Sequence, residues 1–115
     1  MWRSQLKIAD ETPRSELEAL RRRIDDLNLR ILDLAQERAA VVVEISRLKE
    51  ELGLDSHDPE REEKMLRKLT RSTSGPFGPG EVREIFQALF RASLALQERD
   101  RRRTVHPLSA GGEAP

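Results

Sequence analysis

A chain of 115 residues has room for one domain, and its 21 Lys and Arg against 21 Asp and Glu leave no net charge to suggest a nucleic-acid partner. No Cys and two isolated His exclude a disulfide framework and argue against a structural zinc site. The charged fraction of 37% exceeds the usual quarter or so, and with 3% aromatics it suggests long helices, or disorder where the apolar residues lack a period. No apolar run approaches the roughly 18 residues of a membrane span, and the first ten residues lack a secretory h-region, so no membrane association and a cytoplasmic location are expected.

The apolar residues do have a period. Leu17, Leu20, Ile24, Leu27, Ile31, Leu34, Val41, Ile45, Leu48 and Leu52 stand three and four apart, with one gap, and form a helical seam of about five heptads. Ser15 with Glu18 reads as a capping box, Thr12-Pro13 offers a start one turn earlier, and Gly53 is a natural C-cap. The first helix is therefore expected from about residue 14 to residue 52. At 1.5 Å per residue it is a rod of about 57 Å, against a diameter of about 35 Å for a compact monomer of this size. Its seam would stay exposed in one chain, and a second copy is the simplest cover.

Asp58-Pro59-Glu60 opens a second helix, with a cap, a first-turn proline and an acid facing the dipole. Its apolar face holds Met65, Leu66 and Leu69 and fades near Arg71. The stretch from Ser72 to Gly80 is rich in Gly, Pro and Ser and reads as a loop. A third helix follows from about Glu81 with Val82, Ile85, Phe86, Leu89, Phe90, Leu94 and Leu96, and is expected to fray over Arg99–Arg103. Residues 1–12 and 104–115 are expected to be disordered, leaving a domain of residues 13–103. The fold class is all-α: three helices per chain, one very long, in an entwined helical-bundle homodimer rather than a plain coiled coil.

The informative positions are those where the period asks for an apolar residue and a polar one stands. Continuing the seam by four from Leu34 lands on Arg38, whose guanidinium needs an anion from the protein or from a ligand. Lys49 lies three turns on, on nearly the same face, though Glu44, Glu50 and Glu51 could neutralise it. In the third helix the face reaches Ser93 and then Gln97; the plain alternative is a Ser93 back-bond to its own helix and a solvated Gln97. Glu62 precedes Met65, Leu66 and Leu69 on the second helix, with Asp58 and Arg61 beside it; capping and a solvated face are the plain alternative there. Arg21 belongs to a run of three arginines but flanks Leu20 and Ile24, within reach of a neighbouring chain. His57 and His106 suggest no role. No phosphate loop, nucleophilic triad or nucleic-acid motif is present, and Arg101–Arg103 read as charge complementing a helix C-terminus.

Arg21, Arg38, Lys49, Asp58, Arg61, Glu62, Ser93 and Gln97, in this order on three helices, resemble the active-site set of the all-helical chorismate mutases. The resemblance runs from about Glu16 to Arg99. It includes Leu20-Arg21-Arg22-Arg23-Ile24-Asp25, Glu37-Arg38, Val43-Glu44-Ile45-Ser46-Arg47-Leu48-Lys49 and Asp58-Pro59-Glu60-Arg61-Glu62. Asp26-Leu27-Asn28-Leu29, Gly75-Pro76-Phe77 and Leu96-Gln97-Glu98 are closer still to the mutase-type N-terminal domain of some 3-deoxy-D-arabino-heptulosonate-7-phosphate (DAHP) synthases. The chain ends at Pro115 with no barrel domain after it, so a free-standing mutase and a module with a DAHP synthase partner are both expectations.

The resemblance implies the rearrangement of chorismate to prephenate, without metal or cofactor. That reaction passes through a cyclic transition state with no covalent intermediate and no proton transfer, so holding the reactive conformer and stabilising charge on the ether oxygen suffice. By resemblance, Arg38 and Arg21 bind the two carboxylates, Arg21 reaching in from the other subunit. Lys49 and Gln97 donate to the ether oxygen, Glu62 and the Asp58 region take the ring hydroxyl, and Ser93 and Arg61 complete the carboxylate end. Isochorismate pyruvate elimination, a regulatory module binding chorismate or prephenate, and a ligand-free structural dimer are the alternatives.

Overall fold

The computed structural model describes the backbone from Trp2 to Glu113 and the side chains from Thr12 to Arg103. Among the described residues there are three α-helices and no strand: α1 (Trp2–Glu51), α2 (Pro59–Arg71) and α3 (Pro79–Glu113). No helix among them is long and apolar enough to cross a membrane. The chain divides into two units, Met1–Gln36 and Glu37–Pro115.

The first unit holds the N-terminal part of α1. The helix does not begin at the Ser15–Glu18 capping box but runs through it and through Pro13. Glu18 is engaged elsewhere: its carboxylate accepts from Arg21 Nη1 at 3.1 Å, one turn along the same face. Leu17, Leu20, Ile24, Leu27, Ile31 and Leu34 are 43–66% exposed, an apolar seam that one chain leaves uncovered.

In the second unit, α2 packs closely along α3, and the last turns of α1 meet α3 through side chains. Among the described side chains each helix gives one buried apolar residue, Val42, Leu66 and Phe90, while Ser46 and Gln97 are buried polar ones. Val41, Ile45, Leu48 and Leu52 continue the exposed seam.

The ends of the helices follow from local chemistry. α1 closes in a Schellman motif, with Gly53 N–H bonded to Glu50 O at 3.1 Å and Leu54 N–H to Lys49 O at 2.8 Å. Gly53 takes a φ of +69°, where a side chain is strained. Asp58 caps α2, its Oδ1 accepting from Arg61 N–H at 3.2 Å, with Pro59 in the first turn. α3 opens at Pro79, where Glu81 reaches back to accept from Gly78 N–H at 2.9 Å.

α3 stays helical across Arg99–Arg103, where fraying was expected. Arg47 stands 3.8 Å from Asp100, and Arg101 is tied both to Glu50 and to the Leu54 carbonyl, so this turn is held by α1 and the turn after it. Thr12 apart, the side chains of the ends expected to be disordered, 1–12 and 104–115, lie outside the described residues.

Candidate active site

Helical spacing brings the polar exceptions together. Arg38, Val42, Ile45 and Lys49 recur every three to four residues and share one face of α1; Phe90, Ser93 and Gln97 do the same on α3. With Ser56 and Asp58 from the α1–α2 turn and Arg61, Glu62 and Met65 from α2, they line a cavity of about 170 Å³. Every expected site residue except Arg21 is in this wall. Arg21 belongs to the first unit, in an exposed hollow with Leu17, Leu20 and Ile24, paired with Glu18.

Arg38 Nη1 donates to Ser93 Oγ, and its guanidinium lies over the Phe90 ring, 5.5 Å from the centroid. Among the described residues these partners are neutral, so a cation stands in a half-buried place without a protein counter-ion. Such an arrangement can receive an anion, since a partly buried positive charge is costly without one. Ser93 Oγ also donates to Leu89 O at 2.8 Å. The back-bond and the contact to Arg38 therefore coexist, and the hydroxyl holds the guanidinium in place.

Lys49 Nζ donates to the Ser56 carbonyl at 3.0 Å. Of the three acids that could neutralise it, Glu50 faces Arg101 at 3.7 Å instead. Gln97 is 8% exposed rather than solvated, and its Oε1 has no hydrogen-bond partner among the described residues. A buried amide with unused bonding capacity at a cavity wall is suited to a polar ligand.

The acidic side is more ordinary. Asp58 is engaged as the cap of α2, while Glu62 is half-buried, with Oε2 3.7 Å from His57 Nε2. Cations and an amide donor thus occupy the α1 and α3 walls, and two carboxylates, with Arg61 between them in sequence, the start of α2. Such a cavity can grip a small, polar, multiply charged anion with both carboxylate-binding and hydroxyl-binding groups.

Phe90 and Ser56 were not singled out from the sequence as site residues, and His57, which stands beside Glu62, was read as having no role. Phe90 carries a signal, one turn before Ser93 on the same face, but an aromatic at helical spacing reads first as core. Ser56 acts through its backbone carbonyl, for which no side-chain pattern exists.

Residues 20–98 match the family described as chorismate mutase type II. The chain belongs to that family. It is 33% identical over 86 residues to a chorismate mutase of Methanocaldococcus jannaschii, a match covering 72% of this chain and 85% of that one. It is 35% identical over 88 residues to a bifunctional chorismate mutase/prephenate dehydratase of Stutzerimonas stutzeri, and the match spans 72% of this chain but only 24% of that longer protein. Among solved structures, a chorismate mutase (form II) from Thermus thermophilus superposes with a TM-score of 0.71 at 48% identity, covering 73% of this chain and 96% of that one.

Proposed function

We propose that this chain catalyses the rearrangement of chorismate to prephenate, an isomerase reaction of aromatic amino-acid biosynthesis. One observation carries the proposal: Arg38, with only neutral partners, shares a cavity with Lys49 and Gln97. Chorismate is a dianion, and its rearrangement develops negative charge on an ether oxygen. Arg38 holds one carboxylate, with Ser93 and Arg61 completing that end. Lys49 and the Gln97 amide donate to the ether oxygen as its charge grows, and this raises the rate because the interaction strengthens in the transition state. Glu62 and the Asp58 region take the ring hydroxyl. No nucleophile or proton relay is required of the residues present.

The second carboxylate calls for another cation. In this proposal it is Arg21 of a second copy, in an entwined homodimer with two equivalent cavities. The exposed apolar residues of α1, from Leu17 to Leu48, support that assembly, because two copies would cover them together. Sedimentation at low micromolar concentration is expected to give twice the 13.2 kDa chain mass. A folded helical monomer would overturn the dimer.

The deciding experiment is loss of chorismate absorbance with product identification. Prephenate is the expected product; no turnover by a folded dimer overturns the proposal, and pyruvate released from isochorismate in its place assigns the alternative lyase chemistry. A second role, docking on a DAHP synthase, rests on the sequence resemblance of the Gly75-Pro76-Phe77 loop, in which Phe77 is 57% exposed. Turnover by the isolated chain separates catalysis from sensing alone.

A further inference from the structure

The turn between α1 and α2 brings two polar groups to the cavity, the Ser56 carbonyl that holds Lys49 and the Asp58 cap. Its first residues are fixed by the Schellman bonds at Gly53 and Leu54. A third restraint comes from far along the chain. Arg101, on α3, donates from Nη2 to the Leu54 carbonyl at 2.8 Å, while its Nε stands 3.7 Å from Glu50 Oε1. Both side chains are 26% exposed, and the facing Nε and Oε1 atoms are buried without hydrogen-bond partners among the described residues, so the pair is held by charge in a poorly solvated place.

We propose that Arg101 is a positioning residue for this site. Its guanidinium bridges the end of α1, through Glu50, and the α1–α2 turn, through Leu54. Leu54 is also the residue whose amide bonds Lys49 O. One fork thereby clamps the segment that fixes Lys49 at both backbone and ammonium. Gln97 lies one turn before Arg101 on the same helix. The clamp consequently sets the spacing between the two groups proposed to donate to the ether oxygen, Lys49 and Gln97. A lysine cannot bridge both partners with one planar fork, but it can still donate to the Leu54 carbonyl.

This inference rests on the proposed role of Lys49, so its test carries a control for that role. In the full-length chain, Arg101→Met keeps most of the apolar stem and removes every donor. Its kcat is expected to fall about tenfold while KM moves by less than about threefold, because displaced donors are missed most in the transition state. Arg101→Lys is expected to recover kcat to within about threefold of the parent. Lys49→Ala alone is expected to lose more than Arg101→Met, and adding Arg101→Met to it is expected to cost little further, since the clamp acts through Lys49.

A normal kcat and KM for Arg101→Met beside an inactive Lys49→Ala overturns the clamp and leaves the Lys49 role standing. An active Lys49→Ala overturns the Lys49 role itself. If Arg101→Met fails to fold, Glu50→Ala, which removes one arm of the clamp, decides: a parental kcat there, with only a lowered melting temperature, makes the Arg101 bridge structural and ends the proposal.

Discussion

The Arg38 guanidinium rests on the face of Phe90 while its Nη1 bonds Ser93 Oγ, three residues further along α3. One turn of α3 thus supplies a flat apolar support and a polar stop, and these two contacts fix the direction in which the cation points. No carboxylate is used to do so, and the charge stays available to a ligand.

Removing that charge separates binding from folding. Arg38→Ala is expected to abolish chorismate turnover and leave the thermal melting temperature equal to or above that of the parent. A half-buried cation without a protein counter-ion costs desolvation while the site is empty. If the variant unfolds instead, Arg38 is a structural member of the bundle.

Phe90 is expected to act on affinity. Phe90→Leu keeps an apolar residue but removes the aromatic face, and KM for chorismate is expected to rise several-fold, in keeping with a cation–π contact of about 1 kcal/mol. Urea unfolding is expected to show a further loss of about 1 kcal/mol from imperfect repacking. Steady-state kinetics at matched folded concentration distinguish the two effects; an unchanged KM would show that Ser93 alone holds the guanidinium.

At Gln97 the sign of a pH dependence is fixed by chemistry. The amide NH2 donates at every ordinary pH, whereas a carboxyl group of the same shape donates only when protonated, with an ordinary pKa of about 4.3. Gln97→Glu is therefore expected to be active in acid and to lose activity as pH rises through the pKa of the introduced group. Burial raises that pKa and Lys49 lowers it, which moves the midpoint and not the direction. The parent is expected to show no such fall over the same range. A flat or rising profile in the variant would place Gln97 away from the breaking bond.

Gly53→Ala tests the turn from the backbone side. At a φ of +69° a Cβ is strained even though nothing lies within 4 Å of it, so the cost is conformational rather than steric crowding from neighbours. A loss of about 1 kcal/mol in urea unfolding is expected. No loss would mean that α1 can close by another route.

What the sequence made legible follows from the range over which each signal acts. Arg38 was visible because it interrupts an apolar period, and Asp58-Pro59 because capping is a local pattern. The capping box at Ser15 misplaced the start of α1, since Glu18 pairs forward with Arg21 instead of turning back to the helix end. The arginines after Arg99 looked like a helix running out, and no nearby residue hinted otherwise. Both partners of Arg101 are distant in sequence, and the one that accepts its hydrogen bond, 47 positions away, is a backbone carbonyl, which leaves no mark in a side-chain pattern. Phe90 was visible only as an apolar residue, because aromatic support for a cation and core packing ask for the same side chain at the same spacing.

The Schellman closure of α1 also decides where the chain can be lengthened. Lys49 is bonded to the α1–α2 turn by its carbonyl, through Leu54, and by its ammonium, through Ser56. A residue inserted between Gly53 and Ser56 must break one of these bonds or drag the cation out of the cavity wall. Residues 72–78, between α2 and α3, contribute nothing to that wall. Surface connections normally accept extra residues with little thermodynamic cost. Here that tolerance belongs to the second connection, which makes it the place for a fluorophore, an affinity tag or a grafted peptide, while the first must keep its length.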